Sequence, residues 1–467
     1  MHLPENLSPI TKDAIEIWQA GVDAVRADRL FEREVRSDGY TLRIQDRDWQ
    51  LDPKGRLIVI GAGKATFKMA QGLMTSLEGL DPSIERIGWI NVPEGTVDGF
   101  LDSRIHVCQA RPMGANEPTP LVISGTQKII ELLATAKQND TVLCLLSGGG
   151  SALLCAPIDG VTLEDKLAVT RLLSSSGASI EELNLVRSSL SRVKHGGLAR
   201  LSRAGQIISL MLSDVLGDPL ATIASGPTFI DSPIDSKLAA STLMKFDPEL
   251  RHHAVVVKAI IKNAELNRID HSSPKSPVPE VANVVLANNA TAVDAAGTEA
   301  VRRGYAYYME SSPRSEGAAE DLGRVLAKQW LGLSQHTDIQ CLITGGEPSV
   351  VLPSTAIRGR GGRNQHLVLA ALDELNNQGV HGEKLAKMAL LSGGTDGEDG
   401  PTNAAGAWLD TAVLEKAKTL GLDAGDYLRR CDAYTFFDQT CSLLKTGPTH
   451  TNVCDIRVAI FDSRKYS

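Results

Sequence analysis

In this 467-residue chain, glycine and acidic residues gather at the ends of unbroken apolar runs. "LIVIGAGK" closes on Gly61, Gly63 and Lys64, and "LCLLSGGGS" on Ser147, Gly148, Gly149, Gly150 and Ser151. "IISLMLSDVLGD" closes on Asp214 and Asp218, "LITGGE" on Gly345, Gly346 and Glu347, and "LLSGGTDGEDG" on Asp396 and Asp399. A turn of this kind exposes backbone N–H groups beside a helix N-terminus, and the helix dipole adds about 0.3–1 kcal/mol for an exposed anionic charge. Every doubly wound domain needs small residues at such turns, so one alone says little. Five together point to an interdomain cleft that binds a polyanion.

The neighbouring charges narrow the chemistry. Lys64 is placed to reach a phosphate as a point charge, although a lysine there also reads as an ordinary first-turn helix residue. "RGRGGRNQH" sets Arg358, Arg360 and Arg363 on a glycine-rich loop before an apolar helix. The acidic chain and the missing aromatics argue against an RGG-type nucleic-acid segment, and a guanidinium clamp on a transferring phosphoryl group fits better. Asp214, Asp218, Asp396 and Asp399 can hold Mg²⁺ by one or two ligands, accept a hydroxyl proton, or simply cap helices. "TDGEDG" lacks the spacing and closing glutamate of a calcium loop. The serine run is neither Gly-x-Ser-x-Gly nor a P-loop ending in Gly-Lys-Ser/Thr.

Strands must present these turns. Apolar runs of four to six residues without alternation indicate strands buried on both faces, hence a largely parallel sheet covered by helices, with ligands beyond the strands' carboxyl ends. Ser8-Pro9, followed by Ile10, Ala14, Ile15, Trp18, Val22 and Val25, predicts a capped amphipathic helix within 8–35 that packs on either domain. Thr162 and Asp165 form a capping box at the start of a long helical stretch. The Ser/Pro-rich residues 266–280 read as the end of a crossing segment between two α/β domains.

Composition excludes several classes. With 42% hydrophobic and 22% charged residues the chain is an ordinary globular protein, and a net charge of −8 disfavours nucleic-acid or anionic-membrane partners. No apolar stretch reaches the roughly 18 residues of a membrane helix, and the opening residues carry no apolar signal core, so a cytoplasmic location is expected. The seven cysteines form no C-x-x-C pair and the ten histidines no zinc motif, which fits buried thiols in a reducing compartment.

Taken in order, "SGGGSALL", "LED", "NLVRSSLSRVKHGGLA", "LSDVLGDPLATIASGPT", "TGGEPSV", "GRGGRNQ", "GGTDGEDGPTNAAGAW" and "TGPTHTNV" resemble the motifs of glycerate 2-kinases that carry a C-terminal MOFRL domain. That family was formerly often labelled hydroxypyruvate reductase. The resemblance runs from about residue 50 to the end. It implies two three-layer α/β domains with largely parallel or mixed sheets around a deep cleft: a Rossmann-like glycerate kinase domain over 45–240 and a MOFRL-type domain over 275–467. It further implies ATP-dependent phosphorylation of D-glycerate, or a close 2-hydroxy acid, to the 2-phosphate with Mg²⁺, in a monomer or homodimer.

Carried over residue by residue, the resemblance makes Lys64 and Arg363 catalytic; Asp214, at the end of its strand, is a candidate base or metal ligand with Asp396 as its rival. It places Gly61, Gly63, Ser147, Gly148, Gly149, Gly150, Ser151, Gly345, Gly346 and Glu347 at the ATP phosphates. Arg111, Asn184, Arg187 and Lys194 fall at the acceptor, and Asp214 and Asp396 at the metal. Four loop positions depart from the pattern: Arg111 stands for a histidine, His195 for a glycine, His366 for a glutamate and His450 for a glycine. These changes bear on which hydroxy acid is taken, and they motivate an alternative, a nucleotide- or metabolite-binding sensor. A hydroxypyruvate reductase is disfavoured by the absence of G-x-G-x-x-G and of an acidic residue ending the second strand.

Overall fold

The computed structural model describes residue 4 and residues 7–112, 117–230, 234–248, 253–270, 278–333, 339–380 and 382–462. The chain forms two compact units. The central unit, central in chain order, comprises Leu30–Leu212 and Asp218–Leu286; the terminal unit comprises Met1–Arg29, Ser213–Gly217 and Ala287–Ser467.

The central unit begins with a small antiparallel sheet of β1 (Val35–Asp38), β2 (Thr41–Ile44) and β3 (Arg47–Gln50). Its main sheet contains β4 (Leu57–Ala62), β5 (Arg86–Pro93), β6 (Ile105–Arg111), β7 (Thr141–Leu146), β8 (Gln206–Leu212) and β9 (Glu280–Ala287) in the order β6-β5-β4-β7-β8-β9. β4 to β8 pair in parallel. β4 and β7 are buried along their whole length, as expected of apolar runs covered on both faces. The order reverses between β4 and β7, so the turns after these two strands leave the sheet side by side, where doubly wound sheets take their ligands.

Helices Leu163–Ser175, Ile180–Ser189, Ser236–Phe246 and Ala254–Asp270 pack around Val169, Leu173, Val186, Leu190, Leu243 and Ile260. Thr162 and Asp165 form the expected capping box. The long helical stretch beyond it is broken. Gly177 takes φ 77°, and Ser179 with Glu182 starts a new capped helix.

The terminal unit holds β10 (Tyr307–Ser311), β11 (Cys341–Gly346), β12 (Met388–Gly394), β13 (Gly406–Leu409), β14 (Leu443–Leu444) and β15 (Asp455–Phe461), in the order β10-β11-β15-β12-β13-β14. β10 and β11 are parallel; the other pairs are antiparallel. The sheet is therefore mixed rather than largely parallel. β12 is buried throughout, so its sequence shows no alternation even though its neighbours run against it.

The 8–35 segment forms two helices, Pro9–Ala24 and Ala27–Glu34. The first starts as expected, with Ser8 capping the Thr11 N–H and Pro9 at its first position. It packs on the terminal unit. Trp18 is fully buried and its Nε1 donates to the Gly393 carbonyl at 3.1 Å, while Thr11 Oγ1 donates to Asp410 at 2.6 Å. Residues 271–277 of the expected crossing segment lie outside the described residues. Among the described residues no helix is long and apolar enough to cross a membrane.

Replacing a fully buried tryptophan with alanine removes both its packing and its hydrogen bond. Trp18→Ala is expected to lower unfolding stability by about 3–5 kcal/mol, measured by urea denaturation. Hydrogen exchange should quicken in β12 and β15 while β4 and β7 stay protected.

Candidate functional site

The turn after β4 and the turn after β7 interlock. The Lys64 N–H donates to the Gly148 carbonyl at 2.8 Å, the Ala65 N–H to Ser147 Oγ at 3.0 Å, and the Ser147 N–H to the Ala62 carbonyl at 3.3 Å. Gly63 sits at φ 149°, where a Cβ would lie 2.1 Å from Ser147 Oγ. No other residue fits there. Gly149 takes φ 77° and starts the short helix Gly150–Leu153. The N–H groups of Gly148 and Gly149 find no acceptor among the described residues. The double turn thus offers backbone donors beside the half-buried Lys64 side chain.

Cations surround this turn. Arg111, at the end of β6, is 2% exposed, and its Nη2 lies 2.9 Å from where a Cβ on Gly149 would stand. Arg187 Nη2 donates to Ser151 Oγ at 3.3 Å, and Asn184 stands one turn before it on the same helix. Lys194, 3% exposed, bonds Ser151 Oγ and, at 3.0 Å, Ser225 Oγ. Lys166 donates to the carbonyls of Arg187 (3.3 Å) and Leu190 (3.4 Å). Burial lowers the proton affinity of all three: Lys166 falls to about 8, Arg187 falls, and Lys194, also repelled by Arg187 and Lys166, falls well below the ordinary lysine range. None of the three has a carboxylate partner among the described residues. Burying cations without acids carries a desolvation cost that a bound anion would offset.

The terminal unit carries the opposite pattern. Arg363 opens the helix Arg363–Asn377, and its guanidinium grips Asp455, the first residue of β15, through Nε at 2.6 Å and Nη2 at 3.0 Å. Its Nη1 donates to Glu347 at 2.8 Å. Burial works against the Arg363 charge, but Asp455 and Glu347 outweigh it and raise its proton affinity. Burial raises Glu347. Asp214 accepts from Asn452 Nδ2 at 3.2 Å, and Cys454 Sγ donates to the Asp214 carbonyl at 3.1 Å. Asp396 and Asp455 both face the Gly394 backbone. Arg363 balances two of these acids, and Asp214 and Asp396 are the carboxylates it does not grip. Among the described residues no group of three or more His, Cys, Asp or Glu is arranged to hold a metal. Mg²⁺ bound by one or two carboxylates plus phosphate oxygens needs no such cage.

Residues 13–262 match the family model described as a domain of unknown function (DUF4147), and residues 340–455 match the MOFRL family. A D-glycerate 2-kinase of Thermotoga maritima is 34% identical, covering 98% of this chain and 99% of that protein, and a glycerate kinase of Rattus norvegicus is 33% identical, covering 97% and 93%. The crystal structure of a glycerate kinase from Thermotoga maritima superposes with a TM-score of 0.78 at 33% identity, covering 97% of this chain and 99% of that one. The chain belongs to the glycerate kinase family.

Within this member of the family, Lys64, Arg111, Ser147–Ser151, Asn184, Arg187 and Lys194 are gathered in the central unit, and Asp214, Glu347, Arg363 and Asp396 in the terminal unit. Gly345 and Gly346 serve close packing: an added Cβ would stand 1.9 Å from Asn289 Oδ1 and 2.1 Å from Glu316 Oε2. Arg358 is exposed, and the Arg360 guanidinium lies 4.4 Å over the Tyr434 ring, which leaves Arg363 as the arginine facing the acids. His366 is buried with Glu320 at 3.7 Å. His195 and His450 occupy left-handed backbone positions at φ 52° and 61°. Residues 113–116 of "ARPMGANEP" lie outside the described residues.

Sequence reading missed Lys166, Ser225 and Asp455. The only signal for Asp455 was a lone acid at the head of the apolar run "IRVAI". Asp399, read there as a possible ligand, is a cap: it accepts from the N–H groups of Asn364 at 3.0 Å and Gln365 at 2.8 Å. Full burial pushes its carboxyl up to about 7 despite these donors. A carboxyl raised above its unfolded value near 4 contributes stability that is complete below that value and is lost as pH climbs through about 7. The melting temperature of the unaltered protein minus that of Asp399→Asn should therefore shrink between pH 5 and pH 8. A difference constant with pH would contradict the raised carboxyl.

Proposed function

We propose that this chain transfers the γ-phosphoryl group of ATP to the 2-hydroxyl of D-glycerate or a close 2-hydroxy acid. The observation that carries the reading is the interlocked double turn at the reversal of the central sheet, with Lys64 beside the open N–H groups of Gly148 and Gly149. Phosphoryl transfer is achieved mainly by positioning and charge stabilisation, and this turn offers both without a covalent nucleophile. The names of the relatives support the acceptor and the donor.

In this reading Lys64 and the Gly61, Gly63 and Ser147–Ser151 backbone orient the ATP phosphates. Arg111, Asn184 and Arg187 receive the hydroxy acid, whose carboxylate offsets the buried guanidinium charge, and Lys194 stands behind Ser151 on the same side. Arg111 adds a fixed fork that also suits an acceptor with a second carboxylate. Arg363, oriented by Asp455 and Glu347, stabilises charge on the transferring group. Asp214 and Asp396 would hold Mg²⁺, which would supply positive charge against the phosphates. The enzyme would work in the cytoplasm as a monomer or homodimer, without a nucleic-acid or membrane partner.

Lys64→Ala should lower kcat/KM for D-glycerate by about 10²-fold or more, the scale of about 3 kcal/mol of lost transition-state stabilisation. A coupled ADP-release assay, with ³¹P NMR of the product, measures both the loss and the phosphorylated position; wild-type kinetics would refute the role. Asp214→Asn and Asp396→Asn should each raise the Mg²⁺ concentration needed for half-maximal rate by about tenfold. Unchanged Mg²⁺ titrations in both would remove them from the metal.

A further inference from the structure

Lys194 is bonded in a way that carboxylate binding does not use. Its Nζ lies against two hydroxyl oxygens, Ser151 Oγ and Ser225 Oγ (3.0 Å), and those two oxygens are 2.9 Å apart. The amine itself is closed off at 3% exposure, whereas Ser151 is only half-buried. A reacting group can therefore meet the serine and not the lysine.

The third corner is held under strain. Ala224, Ser225 and Gly226 all take left-handed backbone, at φ 50°, 66° and 58°. For the two non-glycine residues this is costly and must be imposed by surroundings. Backbone bonds from the segment after Lys194 impose it: the His195 N–H donates to the Ser225 carbonyl at 3.0 Å and the Gly196 N–H to the Gly226 carbonyl at 2.6 Å. The same two backbone bonds follow directly on Lys194, so the segment that carries the lysine also fixes Ser225. Strain concentrated on a residue that touches a buried amine points to function.

The groups facing Lys194 are Ser151 from the helix Gly150–Leu153, Cys155 just beyond it, Arg187 from the helix Ile180–Ser189, Lys166 from the helix Leu163–Ser175, and Ser225. No carboxylate faces it among the described residues. Burial beside two cations favours the uncharged amine, which has a lone pair to accept a proton. Arg187 donates to Ser151 Oγ at 3.3 Å and steadies that oxygen as its proton leaves.

We propose that Ser151 and Lys194 form a proton relay for the acceptor alcohol. This rests on the kinase reading given above. As the acceptor oxygen bonds to the γ-phosphorus and the bond from that phosphorus to ADP breaks, the hydroxyl proton passes to Ser151 Oγ. The proton of Ser151 passes to Lys194 Nζ, giving an ammonium. Ser225 Oγ keeps the amine lone pair turned to Ser151. After product release the ammonium returns its proton to water through Ser151.

The test compares kcat and KM across pH for the unaltered chain, Lys194→Arg and Ser151→Ala, with MgATP and D-glycerate. Arginine keeps a cation in place but cannot accept a proton at these pH values. The unaltered enzyme should lose kcat as pH falls, in an acid limb that Lys194→Arg and Ser151→Ala both lack. Each variant should lose about 10²-fold in kcat with KM for glycerate changed less than about threefold. In Lys194→Ala, added methylamine should restore at least tenfold of the lost rate. Lys194→Arg turning over like the unaltered enzyme, or Ser151→Ala retaining the acid limb, overturns the relay while leaving the kinase reading intact. If the Lys194 variants do not fold, Ser151→Ala alone decides. Absence of ADP release by the unaltered chain overturns the kinase reading, and the relay with it.

Discussion

A single backbone hydrogen bond, from the Lys64 N–H to the Gly148 carbonyl, ties together everything the central unit does. β4 and β7 run parallel with Ala62 opposite Leu146, so their turns emerge at the same height. The bond closes one turn on the other, and Gly63 against Ser147 leaves no space between them. The Lys64 side chain, the Gly148 and Gly149 donors and Ser151 therefore keep fixed separations without any loop having to be stiff by itself. Preorganisation of this kind is where positioning enzymes obtain their rate.

The two units solve opposite electrostatic problems. The central unit holds Lys166 at 4% exposure and Arg187 largely buried, neither beside a described carboxylate, at a desolvation cost that a bound anion would relieve. The terminal unit sets Glu347 and Asp455 on one guanidinium, so two carboxylates share a single cation there. Neither arrangement is favourable in itself. A fold optimised only for stability would pair such charges locally, as Arg457 of β15 is paired with Glu316 of the loop after β10, at 2.8 and 2.6 Å.

Much of this was legible in the sequence because local chemistry and tertiary structure agree. The runs that became β4 and β7, the Thr162–Asp165 box and the glycine turns obey short-range rules. What stayed hidden depends on distant partners. Arg363 and Asp455 are 92 positions apart and meet because β15 inserts between β11 and β12. Lys166 looks like a solvated charge on an amphipathic helix, yet it is drawn inward by the carbonyls of Arg187 and Leu190 at the end of the next helix. The antiparallel pairing in the terminal unit escaped notice for a different reason. Burial on both faces erases the alternation by which direction could have been inferred.

The helix Pro9–Ala24 is made early and packed late. Trp18 meets a carbonyl 375 positions further along, so during synthesis its apolar face has no lodging until β12 has left the ribosome. The residues of the central unit end at Leu286, so β4 to β8 are all made well before β12. At about 5–20 residues added per second, the helix waits for tens of seconds with its tryptophan uncovered. The yield of folded enzyme then depends on how well that apolar face stays covered until β12 is made.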